Sequence, residues 1–236
     1  SSGGRKGIEH VVSIDEGGRR IETRIPLLGA YQSRNAGIAA ALTRRIADPT
    51  DADIERGLRN AHWPGRFEVM GRSPLVVLDC AHNPGSCVGT AETLETFEYD
   101  KLHLVFGAMV DKDHAEMIAA LPPAATAYTC RPDLVRAETA DALAAAFEAD
   151  GRAGSVEAVD TVAEALERAL DAATSDDAVV VCGSLFAVAE ARRRWSARYV
   201  DTRVSDLDSA KAALERADVT EREIERTHTS GVHRVI

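Results

Sequence analysis

From residue 67 onward, short apolar runs alternate with longer segments in which apolar residues recur every three or four positions. The short runs predict strands at Phe67–Met70, Leu75–Asp79, Leu102–Gly107, Ala125–Cys130, Ser155–Val159 and Ala178–Gly183. The longer segments predict helices at Ser86–Thr96, Asp113–Leu121, Thr139–Ala149, Thr161–Ala173 and Ser184–Ala197. Strands joined by helices of this length form right-handed crossovers, so we expect an α/β domain at 66–197 with a doubly wound, mostly parallel sheet.

The first 48 residues have a different pattern. Ile8–Ile14 and Arg19–Ile25 alternate apolar and polar residues around an Asp-Glu-Gly-Gly turn, which predicts a β-hairpin. Gln32–Ala47 has helical periodicity, with an apolar stripe formed by Ile38, Ala39, Leu42 and Ile46. A hairpin is marginally stable alone, so we expect it to pack against further sheet outside this chain.

Two segments join or follow these parts. Residues 49–65 are expected to be a linker, with a short helix that starts near Asp51, is capped by Asp51 or Thr50, and is followed by the turn-rich stretch His62–Arg66. Residues 198–236 are heavily charged and predict one or two helices, at Ser205–Glu215 and Thr220–Arg226, before a strand-like end at Val232–Ile236. We expect a linker to a further module there, and disorder is the alternative for much of it.

The chemistry predicted for this chain centres on Leu75–Pro84, which reads Leu-Val-Val-Leu-Asp-Cys-Ala-His-Asn-Pro. Its first four residues lack polar alternation, as is typical of a strand buried on both faces. Open α/β sheets bind ligands beyond the carboxyl ends of their strands, which makes Asp79, His82 and Asn83 candidate site residues. The same residues also fit a strand end followed by an Asn-Pro turn, in which Asp79 caps the next helix.

Composition excludes several classes of function. No apolar run approaches the roughly 18 residues of a membrane span, and the net charge of -10 disfavours nucleic acid as the main partner. The four cysteines show no paired or metal-ligand spacing; Cys130 and Cys182 end apolar runs and are expected to be packing residues. The seven histidines form no metal-binding motif. We expect a cytoplasmic protein without a metal site of its own.

Five short motifs occur at predicted strand ends or segment junctions. They are Leu28–Gln32 with Asn35 and Ala36, Trp63–Glu68, Leu78–Pro84, Val105–Gly107 with Asp111–Asp113, and Cys182–Phe186. In this order and spacing they resemble the carboxyl-terminal half of the dihydrofolate synthase/folylpolyglutamate synthase family, a branch of the Mur-type ATP-dependent amino-acid ligases. The resemblance covers residues 8 to 195, and its Trp-Pro-Gly-Arg, Ala-His-Asn-Pro and Gly-Ser-Leu-Phe segments separate folate enzymes from peptidoglycan ligases.

The resemblance implies a ligase that uses ATP and Mg²⁺ to join L-glutamate to dihydropteroate, with folates that already carry glutamate as a second class of acceptor. In this family the γ-phosphate of ATP is transferred to the acceptor carboxylate, and the amine of glutamate attacks the resulting acyl phosphate. A carboxylate is a poor electrophile, and phosphorylation supplies a leaving group while fixed cations offset the accumulating negative charge.

The resemblance also implies roles for particular residues. Asn35 is expected on the adenine side of ATP, Arg66 at its phosphates and Asp79 at its ribose. His82 and Ser184 are expected to hold glutamate, Ser184 from the amino end of a helix. Each has a structural alternative: a locally satisfied amide for Asn35, a surface salt bridge for Arg66 and a helix cap for Ser184.

A second tier of candidates consists of Asn83, Asp111 and Lys112. The last two rank lower because the Asp-Lys-Asp segment also suits the start of a helix. Two positions depart from the family pattern: Cys80 stands where glycine is usual, and Tyr31 where histidine is frequent. Neither departure removes a residue that the resemblance assigns to a ligand.

A phosphate loop of the form G-x-x-x-x-G-K-[ST] does not occur in the sequence. The resemblance places that loop, the magnesium ligands and most of the pterin pocket in an amino-terminal ATPase domain, of which residues 1–48 would be the end. We therefore expect this chain alone not to turn over, and a fusion to another folate enzyme such as dihydropteroate synthase to follow the tail. Two interpretations stay open: a Mur-type ligase for a cell-wall precursor, and a non-catalytic nucleotide or amino-acid binding module.

Overall fold

A computed structural model describes residues 10–16 and 19–197 of the chain. At its start, β1 (His10–Glu16) and β2 (Arg19–Ile25) form an antiparallel hairpin in which Ile14 lies opposite Ile21. Two helices follow, α1 (Tyr31–Ile46) and α2 (Asp51–Arg59). Isoleucines of the hairpin, alanines of α1 and one isoleucine of α2 form a separate apolar cluster, which consists of Ile14, Ile21, Ile25, Ala36, Ala40 and Ile54.

The rest of the chain forms a six-stranded sheet with the order β3-β4-β8-β5-β6-β7. Its strands are β3 (Glu68–Arg72), β4 (Leu75–Leu78), β5 (Leu102–Phe106), β6 (Ala124–Cys130), β7 (Ala153–Val159) and β8 (Ala178–Cys182). Only β3, at one edge, runs antiparallel to its neighbour; the other pairings are parallel. The expected doubly wound α/β architecture is therefore confirmed.

Helices connect the parallel strands and cover both faces of the sheet. They are α3 (Pro84–Leu94), α4 (His114–Ala120), α5 (Ala140–Asp150) and α6 (Val162–Ala172); a further helix, α7 (residues 185–197), follows β8. Helix α3 packs against α4 and α4 against α5, while α6 contacts the strands from β5 to β8. Because the chain advances along the sheet from β4 to β7 and then reverses to β8, right-handed crossovers place α6 on the opposite face.

The main apolar core lies between the sheet and the row of helices α3 to α5. Strands β4, β5 and β8 are buried along their whole length, which explains why their sequences lack polar alternation. Phe106 of β5 meets Phe147 of α5 edge to face, with ring centroids 5.4 Å apart. Cys130 and Cys182 are fully buried, as expected of packing residues.

The apolar stripe of α1 does not face the hairpin. Gln32, Ala36 and Ala40 form the buried side of α1, whereas Ile38, Leu42 and Ile46 are 50%, 57% and 86% exposed. Periodicity therefore identifies the helix correctly, but the residues the structure describes leave its apolar stripe uncovered.

The predicted helices and strands at 8–197 agree with the observed bounds to within two residues. Thr50, one of the two candidates, caps α2: its hydroxyl accepts from the Asp53 N–H. No helix in the described part of the chain is long and apolar enough to cross a membrane.

By contacts, the chain divides into Ser1–Arg192 and Arg193–Ile236, and of the second unit the structure describes only residues 193–197, the helical end of α7. The predicted tail helices and the strand-like end lie outside the described residues.

Candidate active site at the carboxyl edge of the sheet

The loops that follow β4, β5 and β8 meet at the carboxyl edge of the sheet. The Gly183 N–H donates to the Ala81 carbonyl at 2.9 Å, and the Gly107 N–H donates to the Cys182 carbonyl at 3.2 Å. Gly183 has φ +103°, and a Cβ at this position would lie 2.7 Å from the Gly107 carbonyl oxygen. Only glycine permits this approach, which brings the three loops together where open α/β sheets bind ligands.

Asp79 follows the last residue of β4, and its carboxylate points into the protein rather than into solvent. The residue is only 4% exposed, and the Thr90 hydroxyl of α3 donates to Oδ2 at 3.0 Å. Burial raises the pKa of Asp79 to about 6, because desolvation disfavours the charged form. Four groups oppose part of that rise: the Thr90 hydroxyl, the Arg66 guanidinium and the backbone N–H groups of Ala81 and Phe67.

Asp79 does not cap α3, so that alternative is wrong. Asn83 caps the helix instead: its Oδ1 accepts from the Ser86 N–H at 2.9 Å, and the Ser86 hydroxyl accepts in return from the Asn83 N–H at 3.1 Å. This reciprocal capping box, with Pro84 as the first helical residue, accounts for the Asn-Pro pair in the sequence. A ligand role for Asn83 stays a prediction.

His82 is exposed and held in one orientation by its own loop. Its Nδ1 lies 2.8 Å from the Cys80 carbonyl oxygen, and its backbone N–H donates to the Ser86 hydroxyl at 3.0 Å. Since a carbonyl only accepts, Nδ1 carries the proton, and a neutral ring presents Nε2 as an acceptor. The predicted contact of His82 with glutamate is not tested by this geometry, but the side chain can reach a ligand from solvent.

Ser184 precedes α7 and acts as its cap, since its hydroxyl accepts from the Ala187 N–H at 3.0 Å. The residue is 2% exposed. The structural alternative for Ser184 is therefore observed, and its predicted contact with glutamate remains a prediction.

Arg66 projects from a tight loop between α2 and β3. Its neighbours on both sides have left-handed backbone, with φ +73° at Gly65 and φ +43° at Phe67. Arg66 is exposed and joins no ion pair among the residues the structure describes. The structural alternative for Arg66, a surface salt bridge, is therefore not observed. A cavity of about 320 Å³ lies beside the loop, and Arg66 is the one predicted site residue in its wall.

Helix α1 brings two further groups to the same region. Burial raises the pKa of Tyr31 to about 12, with a further rise from the nearby Asp79 carboxylate and an opposing effect of Arg66. The Tyr31 ring lies beside Gly89 of α3, where an added Cβ would be 3.2 Å away. Asn35 is exposed, and its amide donates to Gln32 Oε1 at 3.0 Å, so the locally satisfied amide is observed. The predicted contact of Asn35 with adenine stays untested.

The second-tier pair after β5 lies on an exposed turn. Lys112 Nζ is 3.3 Å from Asp111 Oδ2, and the Asp111 side chain is 52% exposed. The next residue, Asp113, caps α4 by accepting from the Glu116 N–H at 3.0 Å. The segment therefore starts a helix, as the structural alternative expects, and a ligand role for the pair stays a prediction.

The described residues do not offer a metal centre: they contain no group of three or more histidine, cysteine or acidic side chains able to hold an ion. Nor do they offer an activated thiol near the site. Burial raises the pKa of Cys80 to about 11 and that of Cys87 to about 12, with a smaller contribution from Asp79 in each case. Both cysteines are therefore protonated and unreactive at neutral pH.

Sequence reasoning finds the loops but misses several residues that build the site. Thr90 lies within α3, and nothing in its sequence context marks it as a partner of Asp79. The sequence marks Tyr31 only as a departure from the family pattern, yet its hydroxyl is electrostatically linked to both Asp79 and Arg66. Glu68 belongs to the Trp63–Glu68 motif, but its partner Arg192 is 124 residues away and belongs to no motif.

The buried, mostly parallel sheet defines an α/β domain of the doubly wound class, and Asp79, His82 and Arg66 lie at the edge where such sheets bind ligands. A family model described as Mur ligase, glutamate ligase domain, matches residues 65–185, about half of the chain. The chain therefore belongs to the Mur ligase family, through its glutamate ligase domain.

The relatives of the chain include both folate enzymes and peptidoglycan ligases, and two of the folate enzymes match it over more of its length. A protein of Halobacterium salinarum described as a probable bifunctional folylpolyglutamate synthase/dihydropteroate synthase is 54% identical over 97% of this chain, which spans 28% of that protein. The Mycobacterium tuberculosis folylpolyglutamate synthase complexed with ADP matches 78% of this chain and 46% of its own, with a TM-score of 0.67 and 26% identity. The match to the Yersinia pestis bifunctional folylpolyglutamate synthase/dihydrofolate synthase, complexed with AMPPNP and a Mn ion, covers 75% of this chain and 42% of the Yersinia chain. Its TM-score is 0.64 and its sequence identity 30%.

Proposed function

We propose that this chain is the carboxyl-terminal, glutamate-binding part of a dihydrofolate synthase/folylpolyglutamate synthase. The reaction joins L-glutamate to dihydropteroate through an amide bond, and folates that already carry glutamate are a second class of acceptor. ATP phosphorylates the acceptor carboxylate and leaves as ADP; the amine of glutamate then attacks the acyl carbon, loses a proton and displaces phosphate. The family membership and the folate-enzyme relatives support this proposal.

The observation that carries the proposal is that Arg66 and His82 are both exposed near the buried Asp79: Arg66 is close enough to oppose the rise in the pKa of Asp79, and His82 stands in the loop that follows Asp79. The planar fork of an arginine suits phosphate oxygens and offsets the negative charge that develops during phosphoryl transfer. The ring of His82 is held in one orientation by its Nδ1 contact, which leaves Nε2 available to a ligand. A group that positions an amino-acid substrate needs both properties. The two side chains thus serve the two halves of one reaction.

The remaining contacts are proposals of the same kind. Asp79 would accept from the ribose hydroxyls of ATP, Asn35 would meet the adenine, and the amino end of α7 at Ser184 would face a carboxylate of glutamate. Each of these residues already has an internal partner, and a ligand would add to those contacts or replace them.

The proposal assigns the phosphate loop and the Mg²⁺ ligands to a domain outside these 236 residues. A solved relative is complexed with AMPPNP and a Mn ion, and the described residues of this chain contain no group of side chains able to hold a metal ion. Residues 1–48 would be the end of that ATPase domain, 49–65 the linker, 66–197 the glutamate-ligase domain and 198–236 a link to a further module. The uncovered apolar stripe of α1 supports the first assignment. A dihydropteroate synthase as the further module is supported by the bifunctional relative.

The test is ADP release with dihydropteroate, glutamate, ATP and Mg²⁺. We expect turnover from a polypeptide extended upstream to include a phosphate-binding loop, and none from the 236 residues alone. Arg66→Ala in the extended polypeptide is expected to abolish most of that turnover. Substantial turnover by the 236-residue chain would contradict the proposed division of the active site. Turnover with a cell-wall precursor but not with dihydropteroate would contradict the proposed acceptor.

A further inference from the structure

The loop that presents Arg66 is held in an uncommon backbone conformation. Left-handed residues stand on both sides of Arg66, and one of them, Phe67, is not glycine. Such a conformation persists only where the surroundings impose it. The Phe67 ring contributes to this, since it is 1% exposed and stacks on Phe97 with ring centroids 5.7 Å apart.

Gly65 is fixed through both of its backbone polar groups. Its N–H donates to Glu68 Oε2 at 2.8 Å, and its carbonyl accepts from the Cys80 N–H at 2.7 Å. A side chain at this position would collide, because a Cβ would lie 2.7 Å from Cys80 Sγ and 2.8 Å from Val188 Cγ1. The residue before Arg66 is thus enclosed by β3, the loop after β4 and α7.

Glu68, which anchors the Gly65 N–H, is in turn held by Arg192 of α7. Arg192 Nε donates to Oε2 at 3.0 Å and Nη2 donates to Oε1 at 3.1 Å, which makes the pair bidentate. The Glu68 side chain is 18% exposed and the Arg192 side chain 30%, so water screens this ion pair less than it screens a fully exposed one. Through Glu68, a residue 124 positions along the chain is connected to the backbone next to Arg66.

We propose that Arg192 and Glu68 are positioning residues for Arg66, and that they set the affinity of the protein for a nucleotide phosphate. The inference rests on the proposed function, in which Arg66 meets the phosphates of ATP. When Arg192 is removed, Glu68 loses its fixed orientation, the Gly65 N–H loses its acceptor, and the loop relaxes toward commoner backbone angles. Arg66 then no longer points where the phosphates bind.

The alternative is that the pair only stabilises the fold. In that case its loss lowers the melting temperature, and the nucleotide affinity of the folded fraction is unchanged. The two roles are separated by asking whether the effect of Arg192 passes through Arg66. A double-mutant cycle answers this, because residues that act through one another give non-additive changes.

The experiment measures ADP binding by calorimetry and the melting temperature, in the extended polypeptide that carries the phosphate-binding loop. The variants are Arg192→Met, Glu68→Gln, Arg66→Ala and the double variant Arg66→Ala/Arg192→Met. Arg168→Met is the matched control, because Arg168 also bonds two carboxylates, those of Glu157 and Glu164, but lies on α6. The Michaelis constants for ATP and glutamate are measured on the same proteins.

We expect Arg192→Met to weaken ADP binding about tenfold, as the loss of a charged hydrogen-bonded contact typically does. Glu68→Gln keeps an acceptor for the Gly65 N–H and is expected to weaken binding less, which also preserves a readout if Arg192→Met fails to fold. In the Arg66→Ala background the loss of Arg192 is expected to change ADP affinity little. The Michaelis constant for ATP rises and that for glutamate does not, whereas general damage to α7 would raise both.

Unchanged ADP affinity in folded Arg192→Met, or an equal loss with and without Arg66, would overturn the inference and leave the proposed function intact. So would an equal loss in the Arg168→Met control. A parent protein that fails to bind ADP, or one whose binding is indifferent to Arg66→Ala, would overturn the proposed function and this inference with it.

Discussion

Thr90 donates a hydrogen bond to the carboxylate of Asp79 across 3.0 Å, and this bond links the middle of α3 to the end of β4. Both residues are buried, at 0% and 4% exposure, so each lacks water as a substitute partner. The same hydroxyl is 3.0 Å from the Ser86 carbonyl oxygen one turn earlier. The single proton of the Thr90 hydroxyl is therefore shared between two acceptors, the Asp79 carboxylate and the Ser86 carbonyl.

Replacing Thr90 by valine is expected to raise the pKa of Asp79 above about 6, because the ionised form loses a hydrogen bond. Leaving a buried carboxylate short of one donor costs roughly 1–3 kcal/mol of stability at neutral pH. The pKa is measured by NMR titration of the Asp79 carboxyl carbon, and the stability by urea unfolding. Thr93→Val is the control, since the Thr93 hydroxyl bonds only the Gly89 carbonyl. Equal pKa values in both variants would contradict the assigned role.

The raised pKa of Asp79 predicts a dependence of stability on pH. The folded protein binds this proton more tightly than the unfolded chain, whose carboxyl keeps an ordinary pKa of 3.8. The resulting stabilisation is complete below pH 3.8 and is lost as the pH rises through about 6; it amounts to about 3 kcal/mol. We expect Asp79→Asn to abolish this change between pH 4 and 7, as measured by urea unfolding against the parent. The exposed substitution Asp100→Asn should leave the pH dependence as it is.

Asp177 predicts the opposite dependence in a more acidic range. Hydrogen bonds from the Thr174 backbone and hydroxyl, opposed in part by burial, hold the pKa of Asp177 below its ordinary 3.8, and the nearby His103 contributes. This stabilisation is therefore present above pH 3.8 and is lost as the pH falls through the lowered pKa. Asp177→Asn is expected to cost roughly 1–3 kcal/mol at pH 7 and to flatten the acid limb of the stability curve. A parallel acid limb in the variant and the parent would show that Asp177 does not contribute.

Gly183 and Gly151 form a matched pair for testing how closely the strand ends approach. Both have positive φ, +103° and +76°, but an added Cβ is 2.7 Å from a backbone oxygen only at Gly183, and meets nothing within 4 Å at Gly151. Gly151→Ala is expected to cost about 1 kcal/mol from backbone strain alone. Gly183→Ala is expected to cost clearly more, about 3 kcal/mol or above, because backbone must also move. An equal decrease in the free energy of unfolding of the two variants, measured with urea, would contradict the close approach of the loops at Gly183 and Gly107.

The sequence predicts the elements of this fold well because the strongest signals are local. Four consecutive apolar residues predict β4, and the structure ends it at Leu78, one residue before the expected bound. Relationships across long sequence distances are not encoded in such patterns. The bond from Arg192 to Glu68 and the burial of Gln32 depend on which elements become neighbours, and periodicity does not specify that.

The apolar stripe of α1 illustrates the same limit. Its spacing predicts a helix with one apolar side, but it cannot say what covers that side. In the described residues the small alanines, rather than Ile38 and Leu42, face the hairpin. The same limit applies to two residues predicted for the site. Ser184 and Asn83 are helix caps in the structure, and a ligand role for either rests on the family resemblance rather than on the fold.

The position of β8 in the sheet has a consequence for biosynthesis. Of the six strands in this sheet β8 is the last to be made, yet it lies between β4 and β5, and Leu75 pairs with Ala178 more than a hundred residues later. During translation the pair β3–β4 and the group β5–β6–β7 can each form as soon as their strands emerge from the ribosome. They cannot join into one six-stranded sheet until residue 182 is available, so the edge that carries the candidate site is complete only after β8 has been made.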